Sequence, residues 1–313
     1  MTKTTSKPLK IAIQGTIGSF HYEVAKKLYG ADNIFVESMD FNEIATLLDQ
    51  QKIDKGIMAI ENTIAGAILP NYALIDEYNL RIKGEYYLPI QHHLMALPGQ
   101  KIEDIKEVWS HPMALLQCRK FFRSYPHIKL VEEKDTAEMA KIIHQKQLKG
   151  IAGIAGYEAA DIYRLEIISE SIQTNKINAT RFFILDNDKS SPSDFNKVSI
   201  KFTLSHETGS LHKILHIFAE NGLNMSKIQS LPIVDKPWEY AFFVDLMIDN
   251  QENYFLAMKQ VANEVIELKI LGEYVYHSNK ISNVISREVK NERREISSLI
   301  EKDSSIVRND SKK

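Results

Sequence analysis

Asn178-Ala179-Thr180-Arg181-Phe182-Phe183-Ile184-Leu185 joins a polar turn directly to an apolar strand, and its place in the chain order decides the fold. Everything before it alternates short β-rich runs with helical patterns, the signature of an α/β architecture. Residues 10–14, 34–37 and 55–60 read as strands, and 21–29, 41–50 and 72–78 as helices. An extended segment over 80–97 then leaves this lobe, and a second series follows: strand 108–110, helix 113–122, strand 129–131, helix 136–145, strand 150–155. Helix 158–163 and a strand-like run over 166–172 lead back to the Thr180 strand. One lobe, a crossing, a second lobe and a return describe a two-lobed cleft protein, and clefts between lobes are where ligands bind.

The returning stretch also carries chemistry. Thr180, Arg181 and Phe182 put a hydroxyl, a fixed positive charge and an aromatic ring at the mouth of a strand. A small anionic substrate with a leaving hydroxyl and a flat ring needs that trio as proton donor, carboxylate clamp and apolar wall. A structural Thr-Arg pair at a strand start is the plainer alternative.

Outside these lobes, residues 188–196 read as a linker rich in Asp, Ser and Asn. Beyond it the order strand 198–204, helix 210–219, strand 226–231, strand 240–247, helix 254–265, strand 268–276 is β-α-β-β-α-β, the ferredoxin-like α+β order. The expected organisation is a tail over 1–8, a two-lobed unit over 9–187 with its second lobe at about 88–165, the linker, a smaller unit over 197–278 and a charged tail over 279–313. At 313 residues more than one core is expected. A net charge of -2 and the lack of a basic stripe with interleaved aromatics argue against a nucleic-acid partner. No run approaches the roughly 18 apolar residues of a spanning helix, so no membrane partner is expected. The polar N-terminus and single cysteine, Cys118, predict a cytoplasmic chain with an inert buried thiol.

Several further clusters are candidates. Gln14-Gly15-Thr16-Ile17-Gly18-Ser19 sits between a strand and a helix, where free amides and Ser19 suit an anion, or simply make a tight turn. Ala59-Ile60-Glu61-Asn62-Thr63 puts a carboxylate, an amide and a hydroxyl just past a strand, the binding position of such folds, although Asn62 or Thr63 as a helix cap is an equal reading. Ser110-His111-Pro112 ends a strand and caps the next helix; Ser110 or His111 toward the cleft and capping alone are equal readings. His92-His93 cannot both bind one ion from an extended segment, and His212 and His216 fall on the solvent face of their helix, so no metal is expected.

This ordered set resembles prephenate dehydratase fused to an ACT regulatory domain, over roughly residues 11–276. The elements that carry the resemblance are Gly15 to Ser19, Ile60-Glu61-Asn62-Thr63, Gly84-Glu85 to His92, Ser110-His111-Pro112-Met113-Ala114-Leu115, Gln117-Cys118, Ile172-Gln173 and Asn178 to Phe182. In the smaller unit, Gly209-Ser210-Leu211 and Trp238-Glu239-Tyr240 look like family signatures. The chain departs from the family at Gln229-Ser230-Leu231-Pro232, where an acid and a base are usual, at Thr63 for serine and at Met113 for glutamine.

The resemblance implies a periplasmic-binding-protein-like catalytic fold and conversion of prephenate to phenylpyruvate without a cofactor or metal. It implies Thr180 as the catalytic donor, Arg181 as the clamp on the pyruvyl carboxylate, and Phe182, Ser19, Asn62, Thr63, Ser110 and Glu61 as substrate contacts. It also implies a homodimer or homotetramer in which Gly209, Ser210, Leu211 and Asn224 take phenylalanine as effector. Arogenate dehydratase and a non-catalytic two-lobed sensor are the alternatives.

Overall fold

The computed structural model describes residues 7–233 and 239–277; most of the tail read over 1–8, Trp238 and the charged tail over 279–313 lie outside them. The first lobe opens with β1 (Lys10–Gln14), α1 (Phe20–Tyr29), β2 (Ile34–Ser38), α2 (Phe41–Asp49), β3 (Lys55–Asn62), the short β4 (Gly66–Ala67), α3 (Leu69–Glu77) and β5 (Arg81–Pro89). The second lobe contains β6 (His93–Ala96), β7 (Glu107–Ser110), α4 (Pro112–Phe122), β8 (Lys129–Glu132), α5 (Thr136–Gln145), β9 (Ile151–Ala155), α6 (Tyr157–Ile162) and β10 (Glu166–Ser169). The chain returns through β11 (Ala179–Asp186).

The first sheet has the order β2-β1-β3-β11-β5, with β1 parallel to β2 and β3, and β11 antiparallel to β3 and β5. Its central run Gly56–Ile60 is buried on both faces, as expected of a strand covered by helices on either side. The second sheet has the order β10-β6-β9-β7-β8. Helix ends obey local rules: Asp40 and Asp135 each cap a helix by accepting the N–H of Glu43 and Glu138 at 2.8 Å.

The structure corrects the reading of 80–97 as one departing segment. Its first half, β5, stays in the first sheet beside β11, and the crossing comes only at residues 90–92. Alternation marks such a run as strand but does not say which sheet accepts it. The two crossings run side by side: Ile90 N–H donates to Asn178 O at 2.7 Å, and Ile172 N–H to His92 O at 2.8 Å. The lobes also touch beyond this hinge, through Lys26–Glu158 at 2.7 Å and the Tyr163 hydroxyl on Ile17 O at 2.5 Å.

The third sheet is antiparallel, built from β12 (Lys197–Thr203), β13 (Asn224–Pro232), β14 (Tyr240–Met247) and β15 (Glu267–Tyr274) in the order β13-β14-β12-β15. With α7 (Ser210–Glu220) and α8 (Gln251–Glu264) it forms the ferredoxin-like unit. Both helices pack over a core that includes Val198, Phe202, Ile214, Phe218 and Tyr254. Residues from the sheet also face the first lobe, where Ala241, Phe243, Leu271 and Tyr274 share one core with Tyr72, Ile82 and Phe183. Leu231, in the segment that departs from the family pattern, packs against that shared core. Cys118 is fully buried, and burial pushes its thiol up to about 12, in keeping with an inert thiol. Among the described residues, no helix is long and apolar enough to cross a membrane.

Candidate active site

A cavity of about 360 Å³ opens between the two lobes. Ser19, Phe20, His21, Asn62, Thr180 and Phe182 line it from the first lobe, and His111, Met113, Gln117, Lys134 and Asp135 from the second, with His92 at the crossing. Strand alternation selects these residues. Thr180 and Phe182 lie two apart on β11 and share the cavity face, while Arg181 between them points the other way. The register pairs Thr180 with Asn62 and Arg181 with Glu61, so each pair lies on one face.

Thr180 is held as a donor. Its Oγ1 accepts from Asn62 Nδ2 at 2.9 Å, and Asn62 Oδ1 is occupied by the N–H groups of Ile64 and Ala65, both at 2.9 Å. Those partners fix which end of the Asn62 amide is nitrogen. Among the described residues no other group bonds the Thr180 hydroxyl, so its proton is left for the cavity. The same amide also donates to Asn178 Oδ1 at 2.8 Å, Asn178 Nδ2 donates to Gln117 Oε1 at 2.9 Å, and His92 Nε2 meets that oxygen at 2.9 Å. A polar chain thus runs from Thr180 across the hinge into the second lobe.

The electrostatics favour a small anion. Helices α1, α4 and α5 all begin at the cavity, and a helix N-terminus carries partial positive charge on its unsatisfied N–H groups. Lys134 adds a full charge and makes no ion pair among the described residues. Burial raises the Asp135 carboxyl above its usual range, although its helix-capping bonds oppose the shift. Phe20, Phe41, Ile68, Ile90 and Phe182 supply apolar wall.

Burial holds His21 down to about 3 and His92 down to about 4, so both rings are neutral in the fold. The unfolded chain binds those protons near 6.5, so this stability is fully present above pH 6.5 and falls as the pH drops toward 4. Thermal melts should show a steady Tm above pH 7 and a lower one at pH 5. A Tm unchanged between those values would mean that the rings charge without cost.

Gly15 adopts φ 82°, and a Cβ there would sit 2.8 Å from Asp135 Oδ2 across the cleft. Gly15→Ala should therefore cost about 1–2 kcal/mol for the left-handed backbone alone and also displace Asp135. A Tm equal to the parent's would show that the turn relaxes freely.

Several candidates read from the sequence sit elsewhere. Arg181 is 3% exposed and bonded to Glu85 and Asp245 in the interface with the ferredoxin-like unit, so in this conformation it clamps nothing in the cavity. Glu61 faces the same interface, 2.8 Å from Lys227. Ser110 is fully buried and donates to Ile154 O at 2.7 Å, because it shares the inward face of β7 with Val108; the next residue, His111, reaches the cavity. Thr63 accepts from Ala179 N–H at 3.0 Å and pins the start of β11. Asn62 makes a turn with Ile64 and Ala65 and not a helix cap, and β3 runs on through it.

A second cavity, of about 280 Å³, adjoins the Gly209 turn and is lined by Ser205, His206, Glu207, Thr208, Ser210 and Tyr240 among others. Leu211 packs toward the core beneath α7. Asn224 lies at the opposite end of the sheet: it pairs with Met247, whereas the strand end leading to Gly209 pairs with Ala241. One chain therefore does not bring Asn224 to the Gly209 turn.

Sequence reasoning missed Lys134 and Asp135. The signal was present, since they follow parallel strand β8 and open a helix with an Asp-x-x-Glu cap, the rule applied to the end of β3.

The prephenate dehydratase family model matches residues 11–190. The bifunctional chorismate mutase/prephenate dehydratase of Aquifex aeolicus is 31% identical over 270 residues, 86% of this chain and 74% of that protein. Arogenate dehydratase 2 of Petunia hybrida is 33% identical over 293 residues, 87% of this chain and 73% of that protein. Among solved structures, the prephenate dehydratase of Arthrobacter aurescens in complex with L-Phe superposes with a TM-score of 0.79 at 22% identity, covering 94% of this chain and 100% of that one, a likeness of fold.

Proposed function

This chain belongs to the prephenate dehydratase family, and from that premise we propose that it converts prephenate to phenylpyruvate in the cavity between its lobes. The observation that carries the reading is the Thr180 hydroxyl, whose oxygen is held by Asn62 and whose proton is left to the cavity. Prephenate is a dianion with a ring hydroxyl opposite a ring carboxylate. Breaking the bond to that carboxylate releases carbon dioxide, and its electron pair enters the ring as the C–O bond breaks. One proton is taken up and water leaves; aromatisation drives the step.

The protein's task is to help hydroxide depart, which needs a proton or a strong hydrogen bond at the oxygen. A threonine hydroxyl is too weak an acid to be a reservoir, so Thr180 acts as an oriented donor relaying a proton from solvent. With Arg181 turned away, the pyruvyl carboxylate falls to Lys134 and the helix N-termini. The ring carboxylate belongs against the apolar wall, because a tight ionic grip would oppose its loss as neutral carbon dioxide.

Arogenate is the second reading, favoured by one observation: Asp135 stands in the cavity beside Lys134 and offers a partner for an ammonium group. Purified protein assayed with prephenate and with arogenate decides between them. Faster turnover of arogenate, lost in Asp135→Asn, would establish the second, and binding without turnover of either would leave a sensor.

The ferredoxin-like unit reads as an ACT-type phenylalanine sensor, with the effector in the cavity beside Gly209 and Ser210. β13, paired with β14 on one side among the described residues, is the edge that would meet a second copy in a dimer or tetramer. Asn224 then joins the effector site only from that copy. Calorimetry with the full chain should give binding heat and slower turnover at millimolar phenylalanine. No heat and an unchanged rate would exclude the regulatory role.

A further inference from the structure

We propose that Nδ1 of His92 accepts a hydrogen bond from the ring hydroxyl of the substrate and keeps it as that hydroxyl departs as water. The inference rests on the dehydratase reading and adds a substrate contact to it.

The orientation of the ring follows from its neighbours. Asn178 Nδ2 donates to Gln117 Oε1, which marks that atom as a carbonyl oxygen. His92 Nε2, at 2.9 Å from the same oxygen, must then carry the ring's N–H, and Nδ1 is left with a lone pair. His92 is 4% exposed and lines the cavity, yet its Nδ1 is buried with no hydrogen-bond partner among the described residues. A buried acceptor left unpaired is costly, so a ligand that brings a donor is favoured there. The ring packs edge-on against Phe20, with centroids 5.8 Å apart, and its backbone N–H is held by Gln173 at 3.0 Å, so it is fixed in place.

Prephenate offers one O–H donor, the ring hydroxyl, and arogenate carries the same group. Thr180 lines the same cavity and must reach that hydroxyl's oxygen with its own proton. The two contacts are complementary. Thr180 donates to the oxygen, while His92 accepts the hydrogen already on it, which enriches the oxygen in electron density and eases its protonation. When the C–O bond breaks, the oxygen leaves as water carrying the hydrogen held by His92 and the one passed on by Thr180, whose own proton is replaced from solvent in the same relay. His92 stays neutral throughout.

Two substitutions separate this role from support of Gln117. In His92→Gln the side-chain amide extends to the Nε2 position and keeps the Gln117 bond, but the Nδ1 acceptor is lost. In His92→Asn an amide oxygen stands near Nδ1 and the Gln117 bond is lost. The expected result is a kcat about ten- to a hundredfold lower in His92→Gln, the loss of one buried hydrogen-bond partner, with most activity retained in His92→Asn. Phenylpyruvate, which lacks the hydroxyl, should inhibit the parent and His92→Gln equally. The reverse order of the two variants, or weakened phenylpyruvate inhibition matching the loss in kcat, overturns the proposal.

Nitrogen NMR of the intact, histidine-labelled protein tests the contact without substitution. A ring-saturated prephenate analogue keeps the hydroxyl but cannot aromatise, and it should move the His92 Nδ1 signal, whereas phenylpyruvate should not. Movement by both, or by neither, refutes the contact. Absence of prephenate and arogenate turnover by the parent protein would refute the dehydratase reading instead, so the two failures are distinguishable.

Discussion

Thr180→Ala is expected to turn over prephenate about 10²–10³-fold more slowly than the parent, with KM and Tm little changed, because one preorganised donor is lost at the point where charge develops. The alanine removes the oxygen that accepts from Asn62, but that amide keeps its 2.8 Å bond to Asn178 and its contact with Ala179 O, so the strand start stays paired. The effect therefore falls on kcat, the signature of an interaction made in the transition state. Thr180→Ser keeps the hydroxyl and should recover much of the rate. Stopped assays following phenylpyruvate decide the matter, and a Thr180→Ala enzyme with near-parent kcat would remove this residue from the mechanism.

Asp245→Ala is expected to cost about 3–5 kcal/mol of stability, a loss of roughly 10 °C in Tm, with KM for prephenate unmoved. Asp245 accepts from Arg181 Nη1 and from Ser199 Oγ, both at 2.6 Å, and it is 3% exposed. Burial alone would raise its carboxyl, but Arg181 and Lys197 outweigh that and hold it below the usual carboxylate range. Burial also works against the Arg181 cation, and Asp245, Tyr274 and Glu85 more than restore it. Removing Asp245 leaves Arg181 and Lys197 with Glu85 as their one buried carboxylate among the described residues, since Glu61, 3.9 Å from Arg181, is partly exposed. Since none of these residues lines the cavity, the damage falls on the junction of the first lobe and the ferredoxin-like unit. Arg181→Lys should follow the same pattern, losing Tm before substrate affinity. A raised KM at constant Tm in either variant would return Arg181 to the substrate.

The sequence-level candidates at Arg181, Glu61 and Ser110 illustrate how strand chemistry misleads. Each stands beside a residue that does reach the cavity, in Thr180, Asn62 and His111, and each points away because successive side chains alternate. Thr180, Arg181 and Phe182 are consecutive strand residues, so they cannot all share one face. Alternation permits two of the three, and which two depends on the pairing with β3 and β5 and on what covers each side of the sheet. Lys134 is a different case: it stands just past the end of β8, a position the sequence does mark, but it reaches the cavity only because the second lobe folds back over the first.

Sequence by itself determined the order of elements, the two-lobed α/β unit followed by a β-α-β-β-α-β unit, and the family, because these rest on local periodicity, turn chemistry and the order of short motifs. It also marked Thr180, Asn62, Ser19 and Phe182, all of which line the cavity. Only the tertiary structure decided that β5 stays in the first sheet, that Arg181 bonds across the domain junction, and that His92, Lys134 and Asp135 meet Thr180 around one cavity. Those outcomes depend on register and on which surfaces bury one another, contacts between residues up to about a hundred positions apart that no local pattern encodes.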